Sequence, residues 1–279
     1  MEPRSVRIAI RSGALVAMLF LYLPLLVIAM NAFGASKIPT WPVSDFTTHW
    51  FRLAWGDQFA RDALVHSLTV GLRAAALALL LGTCIAFALS RFRFFGKNAI
   101  SLLFVLPIAL PGIVTGMALL SAIEYLNITP SLWTVVAGHA TFCIVVVYNN
   151  VVARLRRVSG NFEEASADLG ATPWMTFRRV TLPSMRTALV AGGLLAFGLS
   201  FDEIIVTTFT AGAGEQTLPI WILTNFSRPS QLPIVNVVAV LVVLISIIPV
   251  YLANRLSRDV GAAAGARGGA VAAEGAAMP

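Results

Sequence analysis

Asp202 and Glu203 stand side by side inside an apolar run, Leu199-Ser200-Phe201-Asp202-Glu203-Ile204-Ile205-Val206-Thr207-Thr208-Phe209. An acid near the centre of a lipid-spanning helix costs at least about 2.5 kcal/mol on insertion scales. That cost makes sense where carboxylates attract a cation in a partly dry passage, because Coulomb attraction is stronger there than in water. At 3.6 residues per turn the two acids point in different directions. One is expected to face a path and the other a neighbouring helix or partner chain. Ser200 is a weaker third candidate. A structural pair satisfied by a partner chain or by water is the competing reading.

Other chemistry is sparse. His49, His66 and His139 do not cluster in sequence, and each reads as structural. Cys84 and Cys143 each sit alone in an apolar run, where free cysteine behaves as a small hydrophobe. No G-x-x-x-x-G-K-[ST], G-x-S-x-G or H-E-x-x-H occurs. The chain therefore offers no catalytic constellation, no metal site and no P-loop of its own.

The elements that position the acids follow from composition. Of 279 residues, 58% are hydrophobic and 12% charged. A soluble domain carries about 25% charged residues. This balance excludes disorder, a coiled coil, a secreted disulfide scaffold and an ordinary cytosolic enzyme. Six runs approach or exceed the ~20 residues that cross a bilayer core. They are Ser12–Phe33, Leu64–Leu89, Ile100–Ile123, Leu132–Val152, Thr187–Phe209 and Ile234–Ala253. None alternates as a barrel strand would, so the expected fold is all-α, a six-helix transmembrane bundle. The first run is longer than a signal-peptide core of about 7–15 residues and reads as an uncleaved span.

The net charge of +7 falls between the runs, so it reads as orientation rather than nucleic-acid binding. Of the 20 Lys and Arg, 15 lie in the N-terminal segment, the second and fourth connections and the tail. Lys37, Arg52, Arg61 and Arg228 lie on the other side, and Arg73 lies near the outer end of a span, where it can snorkel. The positive-inside rule then places both termini in the cytoplasm. Residues 34–62 form an outer segment rich in Trp and Phe, as in an interface belt or a docking surface. Pro107 and Pro111 should bend or unwind the third run. The tail from 257 is rich in Ala and Gly and reads as disordered.

The connection between runs four and five is the longest on the inner side. Glu163–Leu169 reads as a short helix with acids in its first turn, stopped at Gly170. Thr172-Pro173 restarts a helix as N-cap and first residue. Phe162, Leu169, Trp174, Phe177 and Val180 put apolar groups on this loop, which suits docking onto a partner.

This segment resembles the signature loop of permease subunits of binding-protein-dependent ABC importers. Glu164-Ala165-Ser166 takes the place of Glu-Ala-Ala, Gly170 follows at the family spacing, and Val180, Leu182 and Pro183 close the motif. Ser166 and Val180 are mild departures. The resemblance implies a type I importer permease fold, with a permease domain over residues 60–256, residues 1–59 holding the first helix and outer segment, and residues 257–279 the tail. It implies a multi-pass protein of a bacterial inner membrane. It also implies that this loop couples to a separate ATP-binding subunit. ATP and magnesium would be held there and no cofactor by this chain. The other implied partners are a second permease subunit, identical or related, and a periplasmic substrate-binding protein, with membrane lipid around them. Ser200 to Gly212, Thr217-Leu218-Pro219-Ile220-Trp221, Ser67-Leu68 and Leu106-Pro107…Pro111-Gly112 are similar to the second permease subunit of spermidine/putrescine importers. That implies a polyamine cargo guided by Asp202 and Glu203. The same machine with another small solute is the alternative, and an ion-coupled secondary carrier a more distant one.

Overall fold

Helices in this chain start and stop where proline, glycine and polar residues interrupt long apolar runs. A computed structural model describes residues 4–38, 41–43, 45–92, 94–157 and 161–247. In chain order the helices are α1 (Arg4–Phe33), α2 (His49–Gly56), α3 (Gln58–Arg91), α4 (Lys97–Ala109), α5 (Gly112–Tyr125) and α6 (Leu132–Leu155). There follow α7 (Asn161–Asp168), α8 (Pro173–Thr176), α9 (Leu182–Phe201), α10 (Ile205–Thr210) and α11 (Leu218–Phe226). A last helix, α12, covers Leu232–Ile247. Among the described residues the only β pairing is an isolated bridge, Gly34 to Phe46.

Among the described residues four helices are long and apolar enough to cross a membrane: α1, α3, α6 and the continuous helix Pro173–Phe201 formed by α8, a π turn and α9. Of the other two expected spans, the third is divided and the sixth is described only in part. The third breaks between α4 and α5, as its prolines require. Leu110 takes extended geometry (ψ 142°) because the proline ring after it disfavours the helical region. Pro107, by contrast, is accommodated inside α4. The fifth departs from expectation. Thr187–Phe209 is not one helix: its helix begins upstream at Pro173, ends at Phe201, and resumes only at Ile205. The sixth is described as far as Ile247, and the tail 257–279 lies outside the described residues.

Contacts divide the chain into two units, Met1–Ala63 with Ile220–Ile247, and Leu64–Pro219. In the first unit, α1 leaves most of its apolar side chains exposed. The outer segment is tied back by Trp50, whose Nε1 donates to the Gly34 carbonyl at 2.8 Å. Phe33 and Phe51 pack with ring centroids 4.8 Å apart.

The second unit is centred on α6. Small residues let its helices approach closely, as membrane packing favours. At Gly82 of α3 an added Cβ would lie 2.8 Å from the Ile144 carbonyl oxygen of α6, so only glycine fits. Ala78, Ala86, Cys143, Val147, Val151, Met185 and Ala196 are fully buried in the resulting core. Cys143 Sγ donates to the Ala196 carbonyl at 3.3 Å, which gives this cysteine the structural place its apolar setting implied. Arg73 lies over Trp133, 4.5 Å from the ring centroid, so its charge is met by an aromatic face.

Candidate functional site

Two sets of residues stand at opposite ends of one helix, Pro173–Phe201. At 1.5 Å per residue its α9 part alone is about 30 Å long, the thickness of a hydrocarbon core.

The first set lies at the N-terminal end. Glu163 and Glu164 occupy the first turn of α7, where the helix dipole favours acids. Gly170 closes α7 with φ +80°, in the left-handed region. Its N–H donates to the Ala167 carbonyl at 2.8 Å, and the Ala171 N–H donates to the Ser166 carbonyl at 3.1 Å. This is the Schellman pattern, in which a glycine follows the helix cap. Thr172 then caps α8, its hydroxyl accepting from the Met175 N–H at 3.3 Å, with Pro173 in the first turn. The helix–stop–helix reading of this loop holds. What the sequence did not show is that the second helix runs on into the membrane-length helix.

Pro183 is the physical reason for the π turn Phe177–Thr181. Proline inside a helix removes one N–H and its ring crowds the preceding turn. A π turn widens the backbone there, and the Leu182 N–H reaches the Phe177 carbonyl five residues back. Leu182 and Pro183 thus open α9, while Val180 lies half-buried inside the π turn. Ser166 Oγ bonds Thr176 Oγ1 at 3.0 Å and ties α7 to α8. Ala165 and Glu164 remain exposed. Phe162, Leu169 and Trp174 are also exposed, so the loop carries an apolar surface. Phe177 stacks on Trp174 and packs edge-on against Phe87 of α3.

Glu163 is the residue that motif reading missed. Its Oε1 accepts from the buried Thr181 hydroxyl at 2.8 Å and also pairs with Arg91 at the end of α3. One carboxylate thereby joins α7, the π turn and α3. Two consecutive glutamates were the available signal, but only the second sits in the motif.

The second set is at the C-terminal end. After Phe201 the backbone leaves the helix: Asp202 has ψ near 0°, Glu203 lies between helices, and Ile204 is the N-cap of α10. The acids therefore mark a break, not a helix interior, and their directions follow from it. Glu203 Oε1 accepts from the Val206 N–H at 2.9 Å and caps α10. The two acids thus differ in setting: Glu203 is committed to the backbone of α10 rather than to a neighbouring helix, and Asp202 is exposed.

Ser200 is buried rather than on an open face, and its Oγ is 2.7 Å from His139 Nδ1. His139, fully buried in α6, lies with its Nε2 2.8 Å from Thr207 Oγ1. Thr207 in turn donates to the Glu203 carbonyl at 2.8 Å. That bond leaves the Thr207 oxygen to accept from Nε2–H, and leaves Nδ1 to accept from Ser200. His139 therefore clasps both sides of the break. Sequence reading gave His139 a structural role but no site, because its partners are 61 and 68 residues away. Two further bonds join segments singled out by pattern: the Leu218 N–H donates to Ser67 Oγ at 2.8 Å, and the His66 ring lies 3.1 Å from the Gln216 carbonyl.

Comparison with known proteins gives consistent matches. Residues 74–261 match the family model described as binding-protein-dependent transport system inner membrane component. The chain is 33% identical over 253 residues to the spermidine/putrescine transport system permease protein PotC of Escherichia coli strain K12, covering 90% of this chain and 94% of that one. It is 35% identical over 231 residues to the putrescine transport system permease protein PotI of the same strain, covering 80% and 81%. Among solved structures, a chain of a bacterial ABC transporter involved in the import of the acidic polysaccharide alginate superposes with TM-score 0.71 at 16% identity. That superposition covers 93% of this chain and 98% of that one.

Proposed function

The chain belongs to the family of binding-protein-dependent transport system inner membrane components, and from that premise we propose how its two ends divide the work of a polyamine importer. It is a multi-pass permease subunit and performs no covalent chemistry in this reading. Its cargo is a polyamine such as putrescine or spermidine, in keeping with the relatives named above. Asp202, exposed at a pinned break, is the observation that carries the cargo assignment. A carboxylate there attracts an ammonium group as it enters the path. Glu203 shapes the break and adds negative charge behind Asp202. Ser200 acts through His139 by fixing the break.

The loop 161–183 docks on a separate ATPase subunit through Phe162, Leu169 and Trp174, with Glu164, Ala165, Ser166 and Gly170 setting its shape. ATP and magnesium belong to that subunit. A rigid helix from Pro173 to Phe201 then carries displacement of the loop toward the acid break. A second permease subunit completes the path, and a periplasmic binding protein delivers the cargo. In this reading the loop and both termini lie in the cytoplasm, which the Lys and Arg distribution supports.

The test is uptake of labelled putrescine and spermidine by proteoliposomes holding the co-purified complex, with internal ATP and external binding protein. Uptake should need both. Asp202→Asn should raise the half-saturating polyamine concentration about 10- to 100-fold, the loss of one charge-assisted contact. Hydrolysis of ATP without movement of either polyamine would keep the importer and reject the cargo. Uptake without ATP would reject the coupling scheme.

A further inference from the structure

A cavity of about 370 Å³ opens where the ends of α3 and α6 meet the start of α4. Three cations line it: Arg91 from α3, Lys97 from α4 and Arg156 just beyond α6. Beside them Ser101 Oγ and the Tyr148 hydroxyl bond each other at 3.0 Å, which uses one of the two O–H groups and leaves the other free to donate. The first turn of α4 also enters this cavity, and its N-cap, Gly96, supplies no side-chain hydrogen bond. Leu89, Val152 and Leu155 give the wall an apolar part, and Ser90 and Asn98 add polar groups. On the outside of α4, Leu102 and Leu103 are 71% and 65% exposed, so an apolar face runs alongside the basic cavity.

Like charges brought this close repel one another unless an anion lies between them. Glu163 answers only Arg91, from outside the cavity lining. A cationic cargo would be repelled here, so the cavity is not a waiting place for a polyamine. Its occupant needs a compact anionic group, hydrogen-bond acceptors and an apolar extension. We propose that this cavity binds the phosphate headgroup of an anionic phospholipid of the inner leaflet, with acyl chains lying along Leu102 and Leu103. The inner-leaflet position rests on the orientation given above. Basic pockets between membrane helices on that side are suited to such headgroups. The proposal does not depend on the cargo or on Asp202.

The test is native mass spectrometry of the detergent-solubilised complex with added phosphatidylglycerol or phosphatidylcholine. Phosphatidylglycerol should bind more tightly. The double variant Lys97→Gln, Arg156→Gln leaves the Arg91–Glu163 pair intact and should lose about fivefold in affinity per charge removed. The charge-preserving double variant Lys97→Arg, Arg156→Lys should retain binding, which separates recognition from misfolding. Equal affinity for the two lipids, or unchanged binding in the neutral variant, overturns the proposal. Displacement of phosphatidylglycerol by inorganic phosphate at equal concentration also overturns it, because the site would then select a free anion.

Discussion

The loop ahead of Pro173–Phe201 and the break behind it are built by opposite means. The loop is closed mostly by near neighbours. Ser166 meets Thr176 across 10 residues, Glu163 meets Thr181 across 18, and the Gly170 turn bonds within six. The break has local bonds at Glu203 but is also held from afar, by His139 bonding Ser200 across 61 residues and Thr207 across 68. Burial differs in the same sense. Leu169 is 88% exposed at the loop, whereas His139 is 0% exposed beneath the break. On the proposed function, a region that presents a surface to a partner carries its shape locally, and a region that presents one carboxylate at a fixed place borrows rigidity from the packed core.

The largest expected effect comes from removing the clasp. His139→Leu strands the Ser200 hydroxyl in the core and strips Thr207 of a partner, at a cost of about 2 kcal/mol or more. Thermal unfolding of the purified complex should show a lowered midpoint, and polyamine half-saturation should rise with it. A variant with a wild-type midpoint and wild-type uptake would mean the break is as locally determined as the loop.

Gly170→Ala should act at the other end alone. A non-glycine residue at φ +80° costs about 1–2 kcal/mol, or about 5- to 30-fold in the population of the correct turn. Stimulation of ATP hydrolysis by the binding protein should fall accordingly, with the break and the thermal midpoint little changed. A midpoint shift as large as that of His139→Leu would show that the loop is part of the core.

Thr172→Ala removes the cap of α8 and should cost about 1 kcal/mol. Hydrogen exchange at the Met175 amide should quicken about fivefold, while amides at Val206 and Thr207 keep their protection. Faster exchange at both places would join the two regions into one cooperative unit.

The smallest expected effect is that of Glu163→Gln. It can keep the Thr181 bond and loses the charge on Arg91, a pair whose side chains are 42% and 21% exposed. Such a screened pair is worth about 0–1 kcal/mol. The sharper readout is cargo moved per ATP hydrolysed. A fall in that ratio with unchanged hydrolysis would assign Glu163 to transmission between α7 and α3.

Much of this was legible because it is local. Gly170, Thr172-Pro173 and the acids of α7 each impose a backbone state within a few residues, so the loop could be read residue by residue. Pro111 likewise announced the division between α4 and α5. The division at Asp202–Ile204 carries no proline or glycine, and hydropathy runs across it without a dip large enough to mark it. Two acids in an apolar run identified the place but not its backbone. The upstream start at Pro173 was hidden for a related reason: charged residues at Arg178, Arg179 and Arg186 end the hydropathy signal but do not end a helix.

Composition, run length and the loop motif were enough to establish a helical membrane permease of the importer family, because lipid leaves few backbone solutions and the loop's turns are enforced by adjacent residues. Only the tertiary structure decided that Ser200 turns inward, that Glu203 caps a helix while Asp202 stays exposed, and that Arg91, Lys97 and Arg156 share a cavity. The Glu203 cap is itself local, but the inward turn of Ser200 and the shared cavity depend on which distant helix packs there, and packing partners of that kind leave no spacing in the chain to be read.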